Sequence, residues 1–461
     1  MNDNDTPDET TDTSSSPRHD SVTGHTHNHD QIEVPDEMSN HDFRAFVMGD
    51  GWQNPSDKAR TEGISRREFM RESGLAGLTA GAAATAGCLG SSSGGSGDSG
   101  TLTADIGYLP ITDAAPLLTG YANDHFADHG IQANEPTLFR GWSDLAEAFL
   151  SDQVNVAHFL MPMTLWMRYG NELSADVNVV AWDHTDGSAL TVQPDIDDWA
   201  DLGGGKIAVP FWYSIHNVVL QLGLRQHGLT PRTNTSGEEL ADDEVNLVVT
   251  PPPDMPAALA NGSIEGYIVA EPFNAIGELE ADGKILRFTG DIWKQHACCV
   301  ITMKEQLVNE RPDWAANVVS GIVDAQQWLR GHRSDAATLL STDDTGLYPQ
   351  GPEPINRALT LYDDHDQYID SGAIQNTDWD SSRIGFYPYP YPSYTKELTR
   401  QMRDTRVEGD SGFLEEISPE FVADDLVAYD PVETALERAG GPPAFDVEEE
   451  NGYERRETIQ F

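Results

Sequence analysis

Lysine is scarce in this chain of 461 residues: only six of its 28 basic residues are lysine, and 77 Asp and Glu leave a formal charge of -49. So large a deficit of positive charge argues against a nucleic-acid binder, whose affinity comes from clustered Lys and Arg. Cysteine is also nearly absent. Three residues, Cys88, Cys298 and Cys299, cannot form the even-numbered disulfide framework of a small secreted domain. No CxxC or HExxH spacing occurs, so no metal or cofactor is expected from spacing, and stability must come from packing. Long hydrophobic runs are missing too. The uncharged stretch from Ser73 to Gly87 is shorter than the roughly 20 residues a helix needs to cross a bilayer.

What is present can fold. With 38% hydrophobic residues, ten Trp, fourteen Tyr and fifteen Phe, the chain can bury a large core, and its length suits two or three domain-sized units. The acidic excess repels itself in ordinary salt, where screening reaches about 8 Å, and is muted at molar salt, where it falls to about 3 Å. The composition therefore reads as that of a halophile. Its thermal stability should rise steeply between about 0.15 M and molar salt; a melting temperature that stays flat across that range overturns the reading.

Residues 1–64 are rich in Asp, Ser, Thr, Pro and His and cannot offset chain entropy by burial, so they are read as an unfolded leader. Within it His25, His27 and His29 have a spacing that can hold a transition metal, although a solvated tail is the simpler reading. Ser65-Arg66-Arg67-Glu68-Phe69-Met70 precedes the short apolar run, and Thr-Ala-Gly-Cys occupies 85–88. Twin arginines Arg66 and Arg67 before a weakly apolar segment are the mark of twin-arginine (Tat) export. The small residues before Cys88 resemble a lipobox, which makes residues 65–88 an export signal ending on a lipid-bearing cysteine. Residues 89–100 read as a Gly/Ser tether. The expected location is the outer face of the cell membrane.

From Thr101 the character changes. Strand-like segments (102–108, 154–158, 177–182, 189–192, 206–209, 245–249, 264–270) alternate with helical spacing over 115–129, 143–150, 162–169 and 215–227, which predicts parallel α/β layers. In such sheets ligands sit at strand carboxyl ends, near helix N-termini. The turns to inspect are 109–113, 140–143, 160–163, 210–216 and 270–274. Thr112 and Asp113 read there as helix caps.

Four stretches carry a resemblance: GYLPITDAAPLL (107–118), RGWSDLAEAFLSDQVNVAHFLMPM (140–163), NLVVTPPPDMPAALANGSIEGYIVAEPFNA (246–275) and TGDIWKQH (289–296). Together they resemble the nitrate/bicarbonate-type solute-binding proteins of ABC importers over roughly residues 101–400. The resemblance implies an α/β, two-lobed periplasmic-binding-protein-like fold of type II, a venus flytrap that closes on its ligand. Lobe 1 is expected over about 101–192 and 296–400, lobe 2 over about 193–295, and an acidic C-terminal extension over 401–461. It also implies a small anionic ligand, a permease and ATPase as partners, no enzymatic activity and no cofactor.

Residue by residue, Trp142 and His216 match the family's cleft tryptophan and histidine, both N–H donors for an oxyanion. Ser188 stands where nitrate binders carry a longer Gln. Trp212 and Tyr213 replace small residues, which implies a smaller pocket or one that stacks an organic group. Cys299, after Ala297-Cys298, stands where relatives place a charged residue, which puts nitrate itself in doubt. The two cysteines are expected to be buried as small apolar residues, with a vicinal disulfide as the alternative. Glu271 is expected to fix the loop or the lobe interface.

Overall fold

Short apolar strands and helices alternate from Ile106 to Lys304 and sort into two sheets. The computed structural model describes residues 102–171, 175–233, 235, 239–360, 366–379, 383–445 and 455–461. The leader, Arg66, Arg67, Cys88 and the tether lie outside them. Among the described residues no helix is long and apolar enough to cross a membrane.

The first sheet has the order β2 (Thr137–Leu138), β1 (Ile106–Tyr108), β3 (Val156–Leu160), β12 (Cys299–Lys304), β4 (Val177–Trp182). Strands β1, β2 and β3 are parallel, while β12 runs antiparallel to both β3 and β4. Strands β3, β4 and β12 are almost entirely buried, the pattern of a sheet covered on both faces. Ala157 and Phe159 pack in one core cluster with Trp142, Leu145 and Phe149. Val156 points the other way, into a cluster with Ile301, Val318 and Ile322, as the two-residue period of a strand requires.

The second sheet has the order β11 (Lys284–Phe288), β6 (Ser188–Val192), β10 (Gly266–Ala270), β7 (Lys206–Val209), β9 (Glu244–Val249), β8 (Thr230–Arg232). Strand β6 is antiparallel to β10 and β11, and the remaining neighbours are parallel. A small pair, β5 (Thr185–Asp186) with β13 (Ile384–Gly385), lies in one of the connections. The chain passes between the two sheets twice, at 183–187 and at 289–298, and the passages touch through a Thr185–Ala297 bridge. In this architecture the carboxyl ends of β1, β3 and β4 and the amino end of β12 share one edge, because Cys299 pairs with Leu160. In the second sheet the end of β10 meets the start of β6, since Ala270 pairs with Ser188.

Three expectations need correction. The helix expected over 115–129 is two, Ala115–Ala122 and His125–Asp128, because Asp124 adopts a left-handed conformation with φ 61°. The strand at 189–192, expected to close lobe 1, belongs to the second sheet, where its pairing with β10 and β11 buries all five of its residues. The second lobe thus takes in residues from Ser188. The region after 400 is no appendage. Helix Pro419–Leu426 packs on helix Pro392–Arg403, and helix Tyr429–Arg438 packs on the long helix Pro312–Gly331. This segment also bonds to both lobes: Asp425 receives the Arg168 guanidinium at 2.7 Å, and the Arg406 carbonyl accepts from Asn217 and Gln221.

Candidate functional site: a buried cleft of histidines, acids and cysteines

The site follows from where the strands end. The turn after β1 carries Asp113, the end of β4 leads into Asp183 and His184, the turn after β7 leads to His216, and β12 begins with Cys299. The two passages between the sheets carry Asp183 and His184 on one and His296 and Cys298 on the other. All of these side chains are fully buried.

Asp113 is not a helix cap. The 3-10 turn Thr112–Ala114 has no side-chain cap bond; instead Asp113 Oδ2 lies 2.8 Å from His184 Nε2 and 3.4 Å from Cys299 Sγ. Burial pushes the Asp113 carboxyl up to about 7 even though His184 pulls the other way. At His184 burial opposes the charge, but Asp113 and Cys298 raise it well above its ordinary value. The backbone N–H of Cys299 also points at His184 Nε2, 3.1 Å away. One ring nitrogen cannot donate to the carboxylate and accept from the amide at once. The shorter, charge-assisted contact with Asp113 takes it.

His216 Nε2 lies 2.9 Å from Ser188 Oγ and 3.8 Å from Cys298 Sγ, and among the described residues its Nδ1 has no hydrogen-bond partner. Trp142, 3% exposed, starts the helix Trp142–Leu150, and among the described residues its buried Nε1 has no hydrogen-bond partner. Its ring tilts against His158 with centroids 6.2 Å apart. His158 and Asp183 approach to 3.7 Å, yet burial lowers His158 to about 3 and raises Asp183 well above its ordinary range. Burial thus disfavours the charged form of both groups.

The cysteine pair is reduced, with its sulfurs 3.7 Å apart. It is buried within the apolar core as expected, but its sulfurs also face polar groups, Cys298 Sγ at 3.8 Å from His216 Nε2 and Cys299 Sγ at 3.4 Å from Asp113 Oδ2. Burial alone pushes both thiols up; at Cys298 the Cys299 bond and the facing His216 and His184 reverse this and carry it well below its ordinary value, while Cys299 stays well above.

Ser188, His216 and Cys299 are thus brought together with Cys298 and Asp113 in one buried group, and Trp142 lies against His158. Tyr213 is not free to stack a solute: its ring lies against Trp166, centroids 5.3 Å apart and 15° from parallel, and its hydroxyl donates to the Asp410 carbonyl. It helps hold the lobes together because Trp166 follows β3 in one and Tyr213 follows β7 in the other. Trp212 is half-buried against the same core, its carbonyl accepting from Asn217. Glu271 stands at the lobe interface, as expected: its carbonyl accepts the Thr112 N–H at 2.7 Å, and its carboxylate takes Arg383 and the Ala275 N–H.

Sequence reasoning missed His158, Asp183, His184 and His296. The available signal was a histidine interrupting the apolar run VAHFL, and an Asp-His pair directly at the end of VNVVAW, where an α/β sheet presents its ligand-facing groups.

The buried histidines make acid dependence testable. Burial lowers His296 to about 3, so between about 6.5 and 3 the unfolded chain takes up a proton that the folded chain refuses, and this contribution is lost as pH falls. The raised Asp113 acts in the opposite sense, so a difference measurement is needed. His296→Asn should flatten the acid-side slope of stability by about 1.4 kcal/mol per pH unit below about 6.5. Parallel slopes in denaturant titrations of the two proteins would contradict it.

Two α/β lobes, each built on its own sheet and joined by two passages that touch each other, define a periplasmic-binding-protein fold. Residues 97–341, more than half of the chain, match the NMT1-like family, and the chain belongs to it. It is 25% identical over 320 residues to the nitrate/nitrite binding protein NrtA of Nostoc sp., covering 64% of this chain and 68% of that one. It is also 25% identical over 250 residues to the nitrate import ATP-binding protein NrtC of Synechocystis, covering 51% of this chain but only 37% of that longer protein. Among solved structures, the periplasmic nitrate-binding protein NrtA of Synechocystis superposes with a TM-score of 0.60 at 19% identity, over 74% of this chain and 90% of that one.

Proposed function

We propose that this protein is the lipid-anchored, extracellular substrate-binding subunit of an ABC importer, which captures a small anion and delivers it to a permease and ATPase. The observation that carries the reading is that, among the described residues, Trp142 Nε1 and His216 Nδ1 are buried without hydrogen-bond partners, one at the start of the helix after β2 and the other in the helix after β7. A buried donor left unpaired costs free energy, so such a pair fits a ligand that accepts from both. Closing on that ligand couples its capture to transporter recognition, since only the closed form presents both lobes together. No bond chemistry is assigned to it. Nitrate, bicarbonate and sulfonates are the candidate class, and Cys299 in place of a cation favours a ligand that does not depend on a fixed positive charge. A larger organic solute is disfavoured by the use of Tyr213 in the lobe contact. Mass spectrometry of solute released from purified protein, followed by calorimetry against nitrate, bicarbonate and alkanesulfonates, tests the reading; no heat with any of them overturns it.

The anchor has its own test. Cys88→Ser should release the protein into the medium, and replacing Arg66 and Arg67 by Lys should leave precursor inside the cell. Retention of the Cys88→Ser protein in the membrane fraction contradicts the anchor, and normal export of the lysine variant contradicts the route.

A further inference from the structure

Asp113, His184 and the adjacent pair Cys298 and Cys299 come from three places in the chain, yet each residue brings one ligand atom to a group whose members all lie within 4.8 Å of one another. All four are completely buried. Two thiol sulfurs, an imidazole nitrogen and a carboxylate oxygen form a donor set suited to a zinc-class ion, and hard oxygen-seeking cations do not favour it. The spacing agrees. A tetrahedral ion with bonds of about 2.3 Å to sulfur and about 2.0 Å to oxygen sets its sulfurs about 3.8 Å apart and a sulfur and an oxygen about 3.5 Å apart. The corresponding distances here are 3.7 Å between the two sulfurs and 3.4 Å between Cys299 Sγ and Asp113 Oδ2.

A second observation points the same way. Among the described residues, Asp113 Oδ1, His184 Nδ1 and both oxygens of Asp183 are buried without hydrogen-bond partners. His184 Nε2 is contested by the Asp113 carboxylate and the Cys299 amide. So many unmet polar groups around one point are not the packing of an apolar core. His216, with Nε2 3.8 Å from Cys298 Sγ, is placed to donate to a metal-bound thiolate as an outer-shell partner.

We infer that Asp113, His184, Cys298 and Cys299 form a tetrahedral site for a zinc-class transition-metal ion at the junction of the two lobes. The ion takes the Nε2 lone pair of His184, and the Asp113–His184 separation of 2.8 Å opens by roughly half an ångström to meet tetrahedral geometry. Because Cys298 and His184 lie on the two segments that pass between the sheets, a bound ion ties those segments to β1 and β12. The site shares Cys299 and His216 with the proposed solute site, so a bound ion brings a positive charge to the place where the Cys299 side chain itself supplies none.

The test uses the full chain, stripped with a chelator under reducing conditions and titrated with Co(II) as a spectroscopic probe and then with Zn(II). One equivalent of Co(II) should bind with thiolate-to-cobalt charge-transfer absorption, and Zn(II) should displace it. Cys298→Ser and Cys299→Ser should each diminish that absorption, and the double variant should abolish it, with circular dichroism reporting whether each variant is folded. His216→Gln should weaken Zn(II) binding by about 10–100-fold as an outer-shell change. A His25→Asn, His27→Asn, His29→Asn variant should bind as the parent does. The inference is overturned if the unmutated chain shows no charge-transfer absorption, a result that needs no variant to fold, or if bound metal is lost only when the leader histidines are replaced. Calorimetry of the metal-stripped protein with the candidate anions reads the solute-binding proposal separately, so either can fail alone.

Discussion

Replacing Arg383 by methionine is expected to lower the stability of the folded protein by about 3–5 kcal/mol, the range for removing one partner of a buried ion pair. Arg383 and Glu271 are both completely buried, with Nε 2.6 Å and Nη2 2.5 Å from Glu271 Oε1. The guanidinium also lies over the Phe288 ring at 4.9 Å and 3.5 Å from Glu278. Methionine fills much of the volume but leaves the Glu271 carboxylate without its cation in a site where burial already raises its pKa. Since the Glu271 carbonyl accepts from Thr112 across the lobes, the loss falls on the closed arrangement as well as on the second lobe. Urea unfolding should show a lower midpoint with unchanged slope. Adding Glu271→Gln to the variant should recover a substantial part of the loss, because the orphaned charge is then gone. A loss below about 1 kcal/mol in the single variant would show that the pair is neutralised by relaxation and does not organise the interface.

Trp142→Phe and His216→Ala should each weaken solute binding by about 1–3 kcal/mol, roughly 5–150-fold in Kd. Phenylalanine keeps the ring of Trp142 against Leu145 and Phe149 but removes the buried Nε1 donor. Alanine at 216 removes the free Nδ1 and releases Ser188, whose hydroxyl now lies 2.9 Å from Nε2. Ser188→Ala, which touches only the orienting bond, should have the smaller effect. In the metal-stripped protein nitrate should bind weakly, because the position that begins β12 is a cysteine whose side chain supplies no fixed cation. Calorimetry with nitrate and an alkanesulfonate decides. Unchanged affinity in both variants would remove these two side chains from the ligand contact.

Much of the architecture was readable because it depends on local pattern. The strand segments at 177–182 and 206–209 occur where apolar, β-branched runs place them, and the helix at 215–226 begins where the Ser214 hydroxyl caps it by accepting the Asn217 N–H. The break at Asp124 was not readable, since the left-handed residue there is an aspartate and the helical apolar spacing continues across it. The membership of Ser188–Val192 in the second sheet was hidden for another reason: its alternation reads the same in either sheet, and only its pairing with β10 and β11 decides.

By itself the sequence determined the acid-rich composition, the export-like leader, the alternation of strands and helices, and the placing of Trp142 and His216 at strand-to-helix turns. These are properties of composition and of short windows, in which period and turn chemistry act within a few residues. Only the tertiary structure decided that Tyr213 belongs to the lobe contact, that Asp113 faces a histidine and a thiol and caps no helix, and that His184 meets Cys298 and Cys299. Those outcomes join residues 47 to 197 positions apart, through the parallel register of β1 and β3, the antiparallel insertion of β12 and the two passages between the sheets. Local propensity carries no information about such long-range meetings; strand pairing creates them, and burial then gives the assembled groups their chemistry.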